Sequence, residues 1–161
     1  VYMFMMFAMF GAMFFFTHRQ MKKQQEGEQK ERQVKEEAFN PYKEAKRTGK
    51  SVQEVIAAHE KELLEYATTE MEKIPNMKIY GTAPEKSGVI SFLIGNEHHY
   101  DMGMLLDKLG IEVRTGHHCA QPLMQALKID GTVRASFAIY NTKEDVDAFI
   151  SALRRVAAML G

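Results

Sequence analysis

Met77-Lys78-Ile79-Tyr80 and Gly88-Val89-Ile90-Ser91-Phe92-Leu93-Ile94 are two short apolar runs bounded by glycine or proline. Runs of this length with valine and isoleucine read as strands, because β-branched side chains suit a pleated surface and the flanking turn residues stop the element early. Outward from them the period changes. Upstream, Val55, Ile56, Leu63, Leu64, Ala67, Met71 and Ile74 recur at spacings of three and four, as one face of an amphipathic helix requires. Ser51 and Glu54 stand as a capping box at its start, and Pro75-Asn76 closes it. Downstream, Tyr100 to Leu109 returns to helical period, and Ile111 to Thr115 and Thr132 to Ile139 read as strands. Asp145 to Leu160 then places Val146, Phe149, Ile150, Leu153, Val156 and Ala157 along one helical stripe. The order helix, strand, strand, helix, strand, loop, strand, helix predicts an α+β fold over residues 51–161, a small sheet covered by helices. A domain of this size can bury a sufficient core.

The chain has 161 residues with 21 cationic and 21 acidic side chains, hence no net formal charge, and no nucleic-acid partner is expected. That balance averages unlike parts: Arg19 to Lys50 carries ten cations against six acids, and Ser51 to Gly161 eleven against fifteen. Val1 to Phe16 is an unbroken run dominated by Met and Phe, followed by Arg19, Lys22 and Lys23. Residues 1–17 therefore read as an apolar membrane segment, an N-terminal transmembrane helix whose flanking cations keep residues 18–161 on the cytoplasmic side. A buried helix of a larger assembly and sequence from a misassigned start are the other readings of the same run. Residues 18–50 are rich in Gln, Glu and Lys, with opposite charges at helical spacing such as Glu26 with Lys30, and read as a charged helical or disordered tether. Asn40-Pro41 marks a break, since the residue before proline disfavours helical geometry.

Chemistry concentrates in Arg114-Thr115-Gly116-His117-His118-Cys119-Ala120, a glycine-containing loop after a predicted strand and before Pro122. The chain has one cysteine, which excludes an intrachain disulfide framework. Cys119 is then either a buried inert thiol or a nucleophile whose thiolate is favoured by the neighbouring arginine and histidines. His98, His99, His117, His118 and Cys119 could instead be read as zinc ligands. Adjacent strand residues point to opposite faces, however, and no CxxC or HxxxH spacing is present, so no metal is expected.

The same loop, followed by Pro122-Leu123-Met124, resembles the active-site segment of SUF-type cysteine desulfurases and the related selenocysteine lyases, within the class V aminotransferase family. Other stretches agree with it in order: Ala58-His59-Glu60 with Leu63-Leu64 and Tyr66-Ala67, Gly88 to Phe92, Leu106-Asp107 with Gly110-Ile111, Arg134-Ala135-Ser136, and Tyr140-Asn141-Thr142 with Glu144 and Asp147. The likeness runs from about Ile56 to the last residue. It implies the C-terminal small domain of a pyridoxal-phosphate enzyme of fold type I, which converts L-cysteine to alanine, keeps the sulfur as a persulfide on Cys119, and delivers it to an acceptor protein for iron-sulfur cluster assembly. By the same resemblance Arg134 and Arg114 bind substrate and His118 supports them. His59 is expected to cap or pack on its helix, and His98 and His99 have no assigned role. The resemblance places the Schiff-base lysine and the cofactor contacts in a preceding large domain, and no His-Lys dipeptide of the kind that carries that lysine occurs in this chain. Its residues are thus expected to hold no pyridoxal phosphate alone and, alone, not to desulfurate cysteine. The alternative expectation is a membrane-tethered sulfur-carrier or binding module that uses Cys119.

Overall fold

The computed structural model describes residues 21–23, 25–27, 29, 39–83 and 85–160. The apolar segment assigned to residues 1–17 lies outside them. Among the described residues no helix is long and apolar enough to cross a membrane. The chain divides into two units, Val1–Asn40 and Pro41–Gly161. In the first, residues 21–23, 25–27 and 29 are helical.

The second unit contains helices α1 (Pro41–Thr48) and α2 (Val52–Met71), strands β1 (Met77–Tyr80) and β2 (Val89–Ile94), helix α3 (His99–Lys108), strand β3 (Arg114–Gly116), helix α4 (Gln121–Leu127), strand β4 (Thr132–Ser136) and helix α5 (Lys143–Leu160). The break expected at Asn40-Pro41 coincides with the start of α1: Asn40 is not helical and Pro41 opens the helix, where a proline in the first turn gives up an amide that has no intrahelical acceptor anyway. Pro41 and Ala45 are buried, and the second unit begins at Pro41. Helix α4 is a correction, since residues 121–127 were expected as loop. Its seven residues are too few for a helical period to show in sequence.

Ser51 caps α2 as expected. Its Oγ accepts from the Glu54 amide at 3.3 Å, and its own amide donates to Glu54 Oε2 at 2.8 Å. The four strands lie in the order β1-β2-β4-β3, all antiparallel. Two strand boundaries differ from expectation. Strand β3 starts at Arg114 and leaves Ile111 to Val113 outside the ladder, and β4 ends at Ser136, after which the Phe137 amide donates to the Gly88 carbonyl at 2.7 Å.

Register sorts the sheet into two faces. Ile90 opposite Ala135 and Phe92 opposite Val133 lie on the core face, with Ile90, Phe92 and Val133 fully buried. They cluster with Leu63, Ala67 and Met71 of α2, Met102 and Leu106 of α3, and Val146, Phe149 and Leu153 of α5. Phe92 meets Phe149 edge to face at 6.0 Å between centroids. Polar ties fix the helix pair above this core: the Tyr66 hydroxyl donates to Asp147 Oδ1 at 2.6 Å, and Lys143 pairs with Glu62 at 2.7 Å. Since side chains alternate along a strand, Ser91, Arg134 and Arg114 fall on the opposite face, where Ser91 pairs with Arg134 and Arg134 with Arg114.

Candidate active site

The loop after β3 is a tight turn from His117 to Ala120, closed by the Ala120 amide donating to the His117 carbonyl at 2.8 Å. Both central residues, His118 and Cys119, have positive φ, +53° and +61°. That is the pattern of a type I′ turn, which asparagine and glycine normally occupy. Here neither residue is glycine, and each such non-glycine residue costs about 1–2 kcal/mol of backbone strain. A further local bond runs from the Cys119 amide to His117 Nδ1 at 3.1 Å. At the tip, Cys119 is free and exposed.

His118 turns the other way. Its Nε2 lies 3.1 Å from the Thr132 carbonyl oxygen and 3.0 Å from Thr132 Oγ1. A carbonyl oxygen only accepts, so Nε2 carries the proton, and Nδ1 is left as a buried lone pair with no partner among the described residues. Burial pushes the imidazole below its ordinary 6.5, and the positive charges of Arg134 and Arg114 act in the same direction, against the opposing effect of the Thr132 hydrogen bond. His118 is therefore neutral at pH 7. The positive charge around the thiol loop rests with the two arginines.

Those arginines face each other across β3 and β4. Like charges directly opposite in a ladder repel. Among the described residues neither takes part in an ion pair, and Arg134 Nε is buried without a partner. Two guanidiniums without a carboxylate make a place for an anion brought from outside, and a planar guanidinium suits the two oxygens of a carboxylate.

The other sequence candidates separate from this cluster. His59 Nε2 lies 2.9 Å from the Asn141 carbonyl oxygen and ties α2 to the loop before α5. His98 is the N-cap of α3, its Nδ1 accepting from the Tyr100 amide at 3.3 Å, and its ring lies 4.3 Å from that of His99. Burial lowers the His99 pKa, and His98 adds to the effect. Among the described residues no group of three or more His, Cys, Asp or Glu side chains could hold a metal ion. Thr132 was missed in the sequence. It is the one buried polar side chain among the described residues, at 1% exposure. Its position two residues before Arg134, hence on the same strand face, was the available signal.

Residues 45–149 match the family model described as aminotransferase class-V. The chain belongs to that family. This class-V chain is similar to the cysteine desulfurase of Serratia proteamaculans (strain 568), with 45% identity over 108 residues, 67% of this chain and 26% of the relative. In structure it resembles a crystal structure of an Escherichia coli cysteine desulfurase in its S-sulfonic acid form, with a TM-score of 0.59 and 38% identity over 64% of this chain and 25% of that one. A more distant fold neighbour, a C-DES mutant with glycine covalently linked to its pyridoxal-phosphate cofactor, has a TM-score of 0.52 and 16% identity over 71% of this chain and 26% of that one, which attests the fold alone. The class-V chain spans about a quarter of the length of the curated relative it matches.

Proposed function

We propose that residues 41–161 form the thiol-bearing domain of a pyridoxal-phosphate-dependent cysteine desulfurase. One observation carries this: a free exposed thiol on the strained turn that follows β3, whose Arg114 stands opposite Arg134 in the ladder, with neither arginine neutralised by a carboxylate of the described residues. In this role Arg134 binds the carboxylate of L-cysteine, Arg114 adds its charge, and His118 stays neutral and supports the loop. The side chains described here suit the substrate end of the site, a guanidinium for the carboxylate and a thiol for the sulfur. They include no His-Lys pair to hold the cofactor. Pyridoxal phosphate, when bound in such an enzyme, supplies an electron sink that the substrate's own carbon lacks.

The Cys119 thiolate attacks the substrate sulfur and forms an S–S bond. The substrate Cβ–S bond breaks, its electron pair goes to carbon, and protonation there completes alanine. Cys119 is left as a persulfide, which passes the sulfane sulfur to the thiol of an acceptor protein, as in iron-sulfur cluster assembly. On this reading the chain should release no alanine from cysteine by itself.

The rate of Cys119 alkylation by iodoacetamide at one fixed pH tests the assignment. A native rate above that of the same thiol in denaturant is expected, and Arg114→Gln should lower it. A native rate equal to or below the denatured one removes Cys119 as the nucleophile.

A further inference from the structure

We propose that Thr132 is a positioning residue for Cys119, holding the strained thiol turn in place through the His118 imidazole; this rests on Cys119 being the nucleophile. The turn's own hydrogen bonds, from the Ala120 amide to the His117 carbonyl and from the Cys119 amide to His117 Nδ1, lie at an exposed loop where water competes for both. Neither opposes relaxation of two consecutive non-glycine residues out of positive φ. The hold on the interior is the contact of His118 Nε2 with Thr132.

Thr132 is suited to that task. It is 1% exposed, begins β4, and is paired in register with Gly116, the last residue before the turn. Gly131 before it and Val133 after it are both buried. Its side chain is β-branched and stiff at χ1, so Oγ1 and the backbone carbonyl oxygen present a fixed two-oxygen seat to one N–H. With His118 held inward, the next residue of the turn faces outward, and Cys119 is exposed. Because Thr132 shares its strand face with Arg134, the same short strand sets the thiol loop and the guanidinium. Burial and the nearby positive charges of Arg134 and Arg114 keep His118 neutral, which leaves the single Nε2 proton for this contact.

The test uses the full chain with 13C and 15N labels. In the wild type, imidazole nitrogen shifts should give the Nε2–H tautomer for His118, and three-bond couplings should give positive φ at His118 and Cys119. An Nδ1–H tautomer in the wild type overturns the assignment without any variant. Thr132→Val keeps the volume and the carbonyl and removes the hydroxyl. It should lose the positive-φ signature at Cys119. Its alkylation rate, measured where the thiol is fully ionised, should fall roughly fivefold, the shift expected from losing one net hydrogen bond. Thr132→Ser, which retains the hydroxyl, should restore both. A valine variant with the wild-type couplings and rate overturns the role of the hydroxyl, as does a serine variant that behaves like valine. The tautomer and the couplings do not depend on the reactivity of the thiol. Failure here therefore leaves the nucleophile assignment standing, and a wild-type native alkylation rate at or below the denatured one with the Thr132 contact intact removes only the nucleophile.

Discussion

Gly131→Ala should be among the most damaging single-methyl additions in the domain. Gly131 is buried just before Thr132, where β4 begins beside the thiol loop. A Cβ there would stand 2.7 Å from the backbone carbonyl carbon of Gly116 and 2.7 Å from Cδ2 and Nε2 of His99. The His99 ring can turn aside. The Gly116 backbone cannot move without parting β3 from β4, because Gly116 and Thr132 are partners in that ladder. Overpacking of this kind costs about 1–3 kcal/mol. For a unit of roughly 120 residues each kcal/mol moves the melting temperature by about 3–5 °C, so a fall of about 6–10 °C is expected for a 2 kcal/mol cost. Gly81→Ala is the comparison. Gly81 has φ +77° and open space around its Cα, so alanine there meets only the left-handed penalty of about 1 kcal/mol and should lose less. Circular-dichroism melts of the two variants and the wild type decide the matter. A Gly131→Ala variant melting within about 2 °C of wild type would refute the packing argument, since overpacking at a backbone atom cannot be that mild.

Ser51→Ala removes the hydroxyl of the capping box and should cost about 1 kcal/mol in a thermal melt, leaving the distant Cys119 alkylation rate unchanged. Burial lowers the pKa values of both His118 and His99 below 6.5, so in the window beneath that value the unfolded chain binds more protons than the folded one. Stability should be fully present above 6.5 and fall as the pH drops toward the lowered folded values, giving a lower melting temperature at about pH 5.5 than at about pH 7.5. His118→Asn should flatten that slope, and a melting temperature that rises on acidification would contradict the burial of these imidazoles. The full chain should float with lipid vesicles while deletion of residues 1–16 leaves it in the buffer; recovery of the full chain as a monomer in buffer would contradict the membrane expectation for that run.

The sequence by itself determined the elements whose signals are local. Val52–Met71 and Lys143–Leu160 were legible because a long helix repeats its apolar stripe through several turns, and the Ser51–Glu54 box marked the start of the first. Strands β1 and β2 were legible because turn residues bound them on both sides. The cysteine loop was legible because its seven residues resemble one family, whose model matches residues 45–149. The short elements were not legible. Helix α4 is too brief to show a period, and Pro41 carries the same local signal whether it ends one segment or opens the next helix, so only the burial of Pro41 and Ala45 decided that it opens α1. Tertiary structure alone set Arg114 opposite Arg134, since register across two strands joined by an intervening helix is fixed by packing and not by either strand's own pattern. It alone made His118 neutral and Thr132 its partner, because desolvation and a hydrogen bond spanning fourteen residues depend on what the fold brings near, and composition counts a buried imidazole and a solvated one alike.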